Sequence, residues 1–456
     1  MMRAGHIISP LLCFPKLTRR QFIAGIGATA LAVHPLLGCN GSNDTRQYPK
    51  PKPGDTYFTQ GYELSQTQSA EHLATFMETD HSEYDLNGWF FFGSLVDSVH
   101  PDDIGVLAFS VQRVGLLEKI LGAQQVPVGV GFNSKSYGKW EFWGFYTLDV
   151  APFMTVTADP WNVTLLSPFA SEPPLVTMQT VSGRMGQVDT VYLIKADIPG
   201  LDAPRLKAEV RFRDRFGVIN QGYGTAAFCV QNITGEQREM MKMFHGGSAQ
   251  SYLESTGDPM ICQGDYYYQM PFLEVEEFSI MRGDTLRSKG TSGLLWADVL
   301  SASYDEQALK VYKDMLSTFF AIQFPEENIA MMVLRIDSAN GSMPIATLYS
   351  NDCERTRNSA RKPLYSWPID GIKIEPDPES KWVSPVSQKT YYLQYRIQLE
   401  SVHRNADLTI KMVIDNQEVV TDQETSYPGL GSVEGTLDGH PVTGQVFLEV
   451  TEGIKQ

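Results

Sequence analysis

The chain has 456 residues, 42% of them hydrophobic and 20% charged, and a formal net charge of −16. That length exceeds what one hydrophobic core usually serves, so two domains are expected. So acidic a surface repels nucleic acid and anionic headgroups, and nucleic acid is excluded as a partner on that basis. Aromatic residues reach 11%, with 20 Tyr and 23 Phe, a bias toward pleated structure.

Thr18-Arg19-Arg20-Gln21-Phe22 matches a twin-arginine export signal and is followed by the apolar run Ile23–Leu37. The run is too short and too mild for a stable membrane span. It ends in Leu36-Leu37-Gly38-Cys39, the form of a lipobox. Residues 1–38 are therefore expected to be an export signal cleaved before Cys39, whose thiol takes lipid. Residues 39–60, polar and rich in Pro and Gly, are expected to be a flexible tether. Lipid on Cys39 would hold the protein on the periplasmic or outer face of a bacterial membrane while the body stays soluble. Beyond Cys13 and Cys39 only Cys229, Cys262 and Cys353 remain. An odd, sparse set is not a disulfide framework. One bridge, with Cys229 and Cys262 the nearest pair, and three free thiols both fit.

After the tether, Ser69–Thr79 fits a short helix, and Asn87-Gly88-Trp89-Phe90-Phe91-Phe92-Gly93 a dense aromatic strand. Ile104–Val111 places Leu107, Phe109 and Val111 on one face. Gly115–Gly122 fits a helical turn. Lys139–Leu148 carries aromatics on both faces, as in a strand covered on two sides or lining an apolar cavity. Val188–Ile198 is a further strand. From Leu206 to Arg213 apolar and charged residues alternate, the pattern of a half-exposed strand. Glu236–His245 is the best helix, stopped by Gly246-Gly247.

Tyr266–Val299 reads as a β-hairpin: a strand Tyr266–Ile280, a polar connection opening at Arg282-Gly283-Asp284, and a strand Gly293–Val299. By the two-residue period, Leu295, Ala297 and Val299 form an apolar face, while Leu294, Trp296 and Asp298 share the other. Asp305–Leu316 fits a helix, and Thr318–Phe324 a strand. Ala330–Ile336 is a strand ended by the turn dipeptide Asn340-Gly341. Alternation continues through Tyr391–Leu399, Leu408–Ile414 and Gly444–Thr451, the last with Phe447 and Glu449 on one face. So many short strands between turn signals predict an antiparallel all-β architecture with minor α, barrel or sandwich.

There is no phosphate-cradling glycine loop, His-Glu-x-x-His, nucleophile elbow or Cys-x-x-Cys. The six His beyond the signal are scattered, which argues against a zinc site. What remains is an acid beside large aromatics in an apolar setting.

Several motifs resemble the carotenoid 1,2-hydratase (AttH-type) lipocalin-like family. Gly88–Gly93 is similar to its opening Trp-Trp-Tyr-Phe-Asn-Gly strand, Tyr267-Tyr268-Gln269-Met270-Pro271 to its Tyr-Tyr-Ser-x-Pro, and Gly293–Asp298 to its Gly-x-Ala-Trp-x-Asp. Trp382-Val383-Ser384-Pro385, Asp422-Gln423-Glu424 and Val442–Thr451 follow the closing motifs in order. The Arg-x-Trp-Gly that usually follows Trp-x-Asp is replaced by Val299-Leu300-Ser301-Ala302, and the late Trp-Glu-Gly by Val433-Glu434-Gly435. The resemblance implies two consecutive lipocalin-like β-domains, residues 61–303 and 304–456, with an apolar pocket in or between them and no metal or redox cofactor.

Two functions follow from it. One is a membrane-anchored protein that binds a hydrophobic small molecule, an isoprenoid, polyene or lipid, with Trp89, Phe91, Trp143, Phe447 and Glu449 as ligand-binding residues. The other is a cofactor-free hydratase or related isomerase or cyclase acting by acid catalysis. There Asp298 is the general acid, and Trp296, Tyr267 and Tyr268 stabilise a cation and position water. A carboxyl serves as acid at neutral pH only where burial favours its protonated form.

Overall fold

The computed structural model describes residues 86–113, 124, 126–136, 138, 140–145, 153–158, 160–167, 172–199, 204–220, 266–302, 316–338, 341–350, 365–367, 369–420 and 425–452. Outside them lie the export signal, Cys39 and the tether, and all four expected helical segments apart from Leu316. Cys229, Cys262, Cys353 and Asp422-Gln423-Glu424 lie outside them too.

The described residues are nearly all β, with no α-helix among them. The first sheet is built from β1 (Leu86–Val96), β2 (Ile104–Arg113), β3 (Val128–Ser134), β4 (Glu141–Phe145), β5 (Phe153–Ala158), β6 (Trp161–Leu166), β7 (Val176–Ser182), β8 (Val191–Ile198), β9 (Leu206–Asp214), β10 (Ile219–Asn220), β11 (Tyr266–Arg282), β12 (Thr285–Gly290) and β13 (Ser292–Ala302). The second holds β14 (Leu316–Phe324), β15 (Ile329–Ser338), β16 (Gly341–Ser350), β17 (Tyr365–Ser366), β18 (Ile372–Pro376), β21 (Gln394–Leu399), β22 (Ala406–Met412), β23 (Val419–Val420), β24 (Thr425–Leu437) and β25 (His440–Glu452). Between β18 and β21, β19 (Lys381–Val383) and β20 (Thr390–Tyr392) pair as a separate ribbon.

Every pairing is antiparallel. The first sheet runs β4-β3-β2-β1-β13-β11-β9-β8-β7-β6-β5, and the second β17-β16-β15-β14-β25-β24-β22-β21-β18. Both curl. Trp89 on β1 and Trp161 on β6 stand six strands apart along the first sheet, yet their ring centroids are 6.5 Å apart. This sheet is a half-barrel. The second is nearly closed: Arg335 on β15 donates from Nη1 to the Ile374 carbonyl on β18 at 2.9 Å. These are two lipocalin-like β-domains, as the strand pattern and the motifs led us to expect.

Each concave face carries its own core. Trp89, Phe91, Leu107, Phe109, Val111, Leu295, Ala297 and Val299 pack inside the first. Phe320, Ile322, Met331, Val333, Val446 and Leu448 pack inside the second. The residues between them in sequence (Phe90, Phe92, Trp296, Phe319, Ala321, Met332, Phe447) are also buried, because the convex face of one sheet covers that of the other. A strand buried on both faces reads as a continuous apolar run, which explains the aromatic density of β1 and β14.

Two expectations are corrected in detail. The polar connection of the hairpin is mostly strand: the chain turns at Gly283 (φ +58°) and Asp284, and β12 pairs with the end of β11. Its polar sequence hid it, since pairing needs only backbone groups when the side chains face water. Tyr391–Leu399 is not one strand but β20 and β21. Ser380 breaks the ladder there: its carbonyl accepts from Leu393 N at 2.9 Å and its hydroxyl from Gln394 N at 3.0 Å.

Candidate active site

The seam between the two convex faces is where chemistry-bearing side chains collect. On β13, Asp298 is 2% exposed and Trp296 1%. The Trp296 indole donates from Nε1 to Asp298 Oδ1 at 2.8 Å. Two residues apart on a strand means the same face, so this bond follows directly from the Trp-x-Asp spacing.

Gln269 lies opposite Asp298 in the β11–β13 register and donates from Nε2 to the same Oδ1 at 3.3 Å. Its Oε1 accepts from the Tyr349 hydroxyl on β16 at 2.5 Å. A chain of hydrogen bonds therefore crosses from the second sheet through Gln269 to the carboxyl. The direction of the Gln269 amide is set by its neighbours, because a phenol donates to its oxygen and a carboxyl accepts from its nitrogen. Both donors converge on Oδ1.

Aromatic rings surround this chain. Phe92, opposite Trp296 in the β1–β13 register, lies 4.4 Å from Phe447 and meets Phe319 edge-on at 6.1 Å. Trp296 meets Phe319 at 6.4 Å and Tyr349 at 5.9 Å, both edge-on. Such pairs expose the electron-rich face of one ring to the edge of another.

Below the rings is a second polar group. The β11 bulge between Met270 and Leu273 takes Pro271 out of the ladder with β13. Gln323 on β14 donates from Nε2 to the carbonyls of Pro271 at 2.8 Å and Leu295 at 2.9 Å. Gln445 on β25 donates to Gln323 Oε1 at 2.7 Å and to the Leu294 carbonyl at 3.0 Å, and accepts from Ser94 Oγ at 2.5 Å.

Of the residues singled out in the sequence, the seam unites Asp298, Trp296 and Phe447. Glu449, 3% exposed, shares the strand face of Phe447. Trp89 and Phe91 sit on the other side of β1, in the concave core of the first sheet, so they and Asp298 do not line one space. Tyr267 and Tyr268 pair with Leu300 and Val299, and Trp143 with Val130; their side chains lie outside the described residues. Gln269, Tyr349, Phe92 and Phe319 went unnoticed in the sequence. Phe92 was recoverable from its parity with Phe90 in β1. Tyr349 was not, because nothing local says that β16 meets β11. Among the described residues no three His, Cys, Asp or Glu side chains come together as metal ligands.

The sequence matches no protein-family model and no curated protein. Among solved structures, the chain is similar to a candidate AttH from Nitrosomonas europaea, at 15% identity with a TM-score of 0.55, covering 90% of this chain and 100% of that one. It is also similar to kievitone hydratase from Nectria haematococca, at 13% identity with a TM-score of 0.51, covering 82% and 92%. At these identities the likeness is one of fold, the paired β-domains.

Proposed function

We propose that this protein binds a hydrophobic small molecule of the isoprenoid, polyene or lipid type at the aromatic seam between its two β-domains. The observation that carries the reading is a buried carboxyl, Asp298, bonded to an indole and to a glutamine, among rings contributed by both sheets. Burying a carboxyl is unfavourable, and a seam made only for adhesion would be served better by another apolar side chain.

The same carboxyl favours a second reading, hydration of an alkene or its reverse, the activity class named for one of the two structural neighbours. That reading requires the carboxyl in its protonated form. The acid then gives its proton to one alkene carbon, and the π electrons form the new C–H bond. The cation left on the other carbon faces aromatic rings, each contributing roughly 0.5–2 kcal/mol. Water adds to it and returns a proton to the carboxylate, so the net change is addition of H and OH with the acid restored. Gln269, braced by Tyr349 of the opposite domain, holds the carboxyl in place.

The test is to extract the purified native protein and identify co-purified compounds by mass spectrometry, then repeat with Asp298→Asn. Binding retained with turnover lowered about 10²-fold or more supports the acid role. Binding retained with no turnover in the parent on any extracted alkene reduces the protein to a carrier. A parent that carries no hydrophobic compound sinks both readings. Anchoring is a separate part of the proposal, resting on the lipobox alone. Cys39→Ser is expected to move the protein from the detergent phase to the aqueous phase in detergent partitioning.

A further inference from the structure

The chain has seven tryptophans, and the indole donors divide in an informative way. Trp296 donates to Asp298, Trp367 to the Arg404 carbonyl at 3.0 Å, and Trp140 to the Gln417 and Pro428 carbonyls at 2.9 and 3.0 Å. Trp89 and Trp161 are 1% and 2% exposed, and no acceptor among the described residues reaches either Nε1. A buried N–H without an acceptor is unfavourable, since it has lost water and gained nothing. Scattered cases are tolerated, but these two are neighbours, with centroids 6.5 Å apart. The nearby Tyr192 hydroxyl does not answer them. It accepts instead from Gly186 N at 2.8 Å, while its ring meets Trp161 edge-on at 6.1 Å.

The pair is formed only by the curl of the first sheet, which carries the β6 arm over β1. Phe91, Tyr192 and Phe212 continue the ring contacts beside it. Among the described residues the two ends of the sheet, β4 and β5, do not pair with each other. Trp89 lies on the face of β1 opposite Phe90 and Phe92, so the sheet itself separates this place from the seam.

We propose that the concave face of the first β-domain is a second binding site, for an apolar molecule bearing a hydrogen-bond acceptor such as a ketone oxygen, which takes the N–H groups of Trp89 and Trp161. One carbonyl oxygen has two lone pairs and accepts from both donors. An isosteric hydrocarbon fills the same space and leaves both donors unpaired, so the site selects by polarity rather than by size.

Calorimetric titration of the purified full chain with 2-nonanone and with 2-methylnon-1-ene, which replaces the ketone oxygen by a methylene, tests this. The ketone is expected to bind about tenfold tighter or more. Trp89→Phe and Trp161→Phe are each expected to erase most of that preference, and Asp298→Asn to leave it intact, which separates this site from the seam. Should either Trp variant fail to fold, the parent protein labelled with ¹⁵N-tryptophan gives the answer: the ketone, and not the alkene, shifts two buried indole N–H resonances downfield. Equal affinity for the two probes, indole resonances that do not move, or a preference that survives both Trp substitutions overturns the proposal.

Discussion

Glu276 shows how one side chain carries the pH response. It is the extra residue of the β11 bulge between Val275 and Glu277, and the bulge aims it at Arg211 and Arg213 on β9, 2.9 and 2.6 Å away. Burial by itself would push its carboxyl up, but the hydrogen bonds from the two guanidinium groups outweigh that and hold it below the ordinary carboxylate range. Asp97 follows the same logic: burial is outweighed by the Ser288 hydroxyl and by the amides of His100, Val99 and Lys289. A carboxyl whose pKa is lower in the folded state adds stability above its unfolded value. It loses that stability as pH falls through the folded one. The melting temperature is therefore expected to fall from about pH 5 to about pH 3, the window around and just below the ordinary carboxylate value. Glu276→Gln should melt lower at pH 7 and show a shallower acid slope. Parallel slopes for parent and variant in thermal melts at both pH values would remove Glu276 from the account.

At the scale of the element, the glycines that bracket the two matched motifs have a backbone reason. Gly93 ends its motif with φ +148°, and Gly293 opens its own with φ +156°. They sit near each other on the paired strands β1 and β13. A Cβ on Gly93 would lie 2.2 Å from the Leu294 carbonyl oxygen, and one on Gly293 2.3 Å from that of Ser94. Neither backbone oxygen can step aside without breaking the ladder. Gly293→Ala is expected to destabilise by about 1–3 kcal/mol, seen as a melting point several degrees lower. Gly439→Asn is the control: it also has positive φ (+80°), but nothing lies within 4 Å of the added atom and Asn tolerates this conformation. Equal losses for both would mean that crowding between β1 and β13 is not what selects glycine.

Taken as a whole molecule, the protein depends on the two sheets completing each other. At and opposite the β11 bulge, Gln323 and Gln445 of the other sheet donate to the carbonyls of Pro271, Leu295 and Leu294. Each buried carbonyl stripped of its donor costs about 1–3 kcal/mol. Gln323→Leu, of similar volume, is expected to lower stability by that order for each of two carbonyls. It should also split one cooperative unfolding transition, followed by calorimetry, into two. A single unchanged transition would show that the aromatic contacts alone hold the seam.

What the sequence determined by itself was local and periodic. Alternation and apolar runs placed about half of the strands, because a pleat puts successive side chains on opposite faces whatever lies beyond them. The spacing of Trp296 and Asp298 put an indole and a carboxyl together, because two residues along one strand are neighbours on any sheet. It could not say which side of β1 meets which partner. Phe90, Phe91 and Phe92 are equally apolar, and only the docking of the second sheet separates Phe92, at the acid, from Phe91, in the concave core. Nor could it show that Tyr349 reaches Gln269, or that Trp89 and Trp161 meet across six strands. Those contacts depend on how far each sheet curls and where the two convex faces touch, and curl and docking are sums over many strands that no single segment encodes.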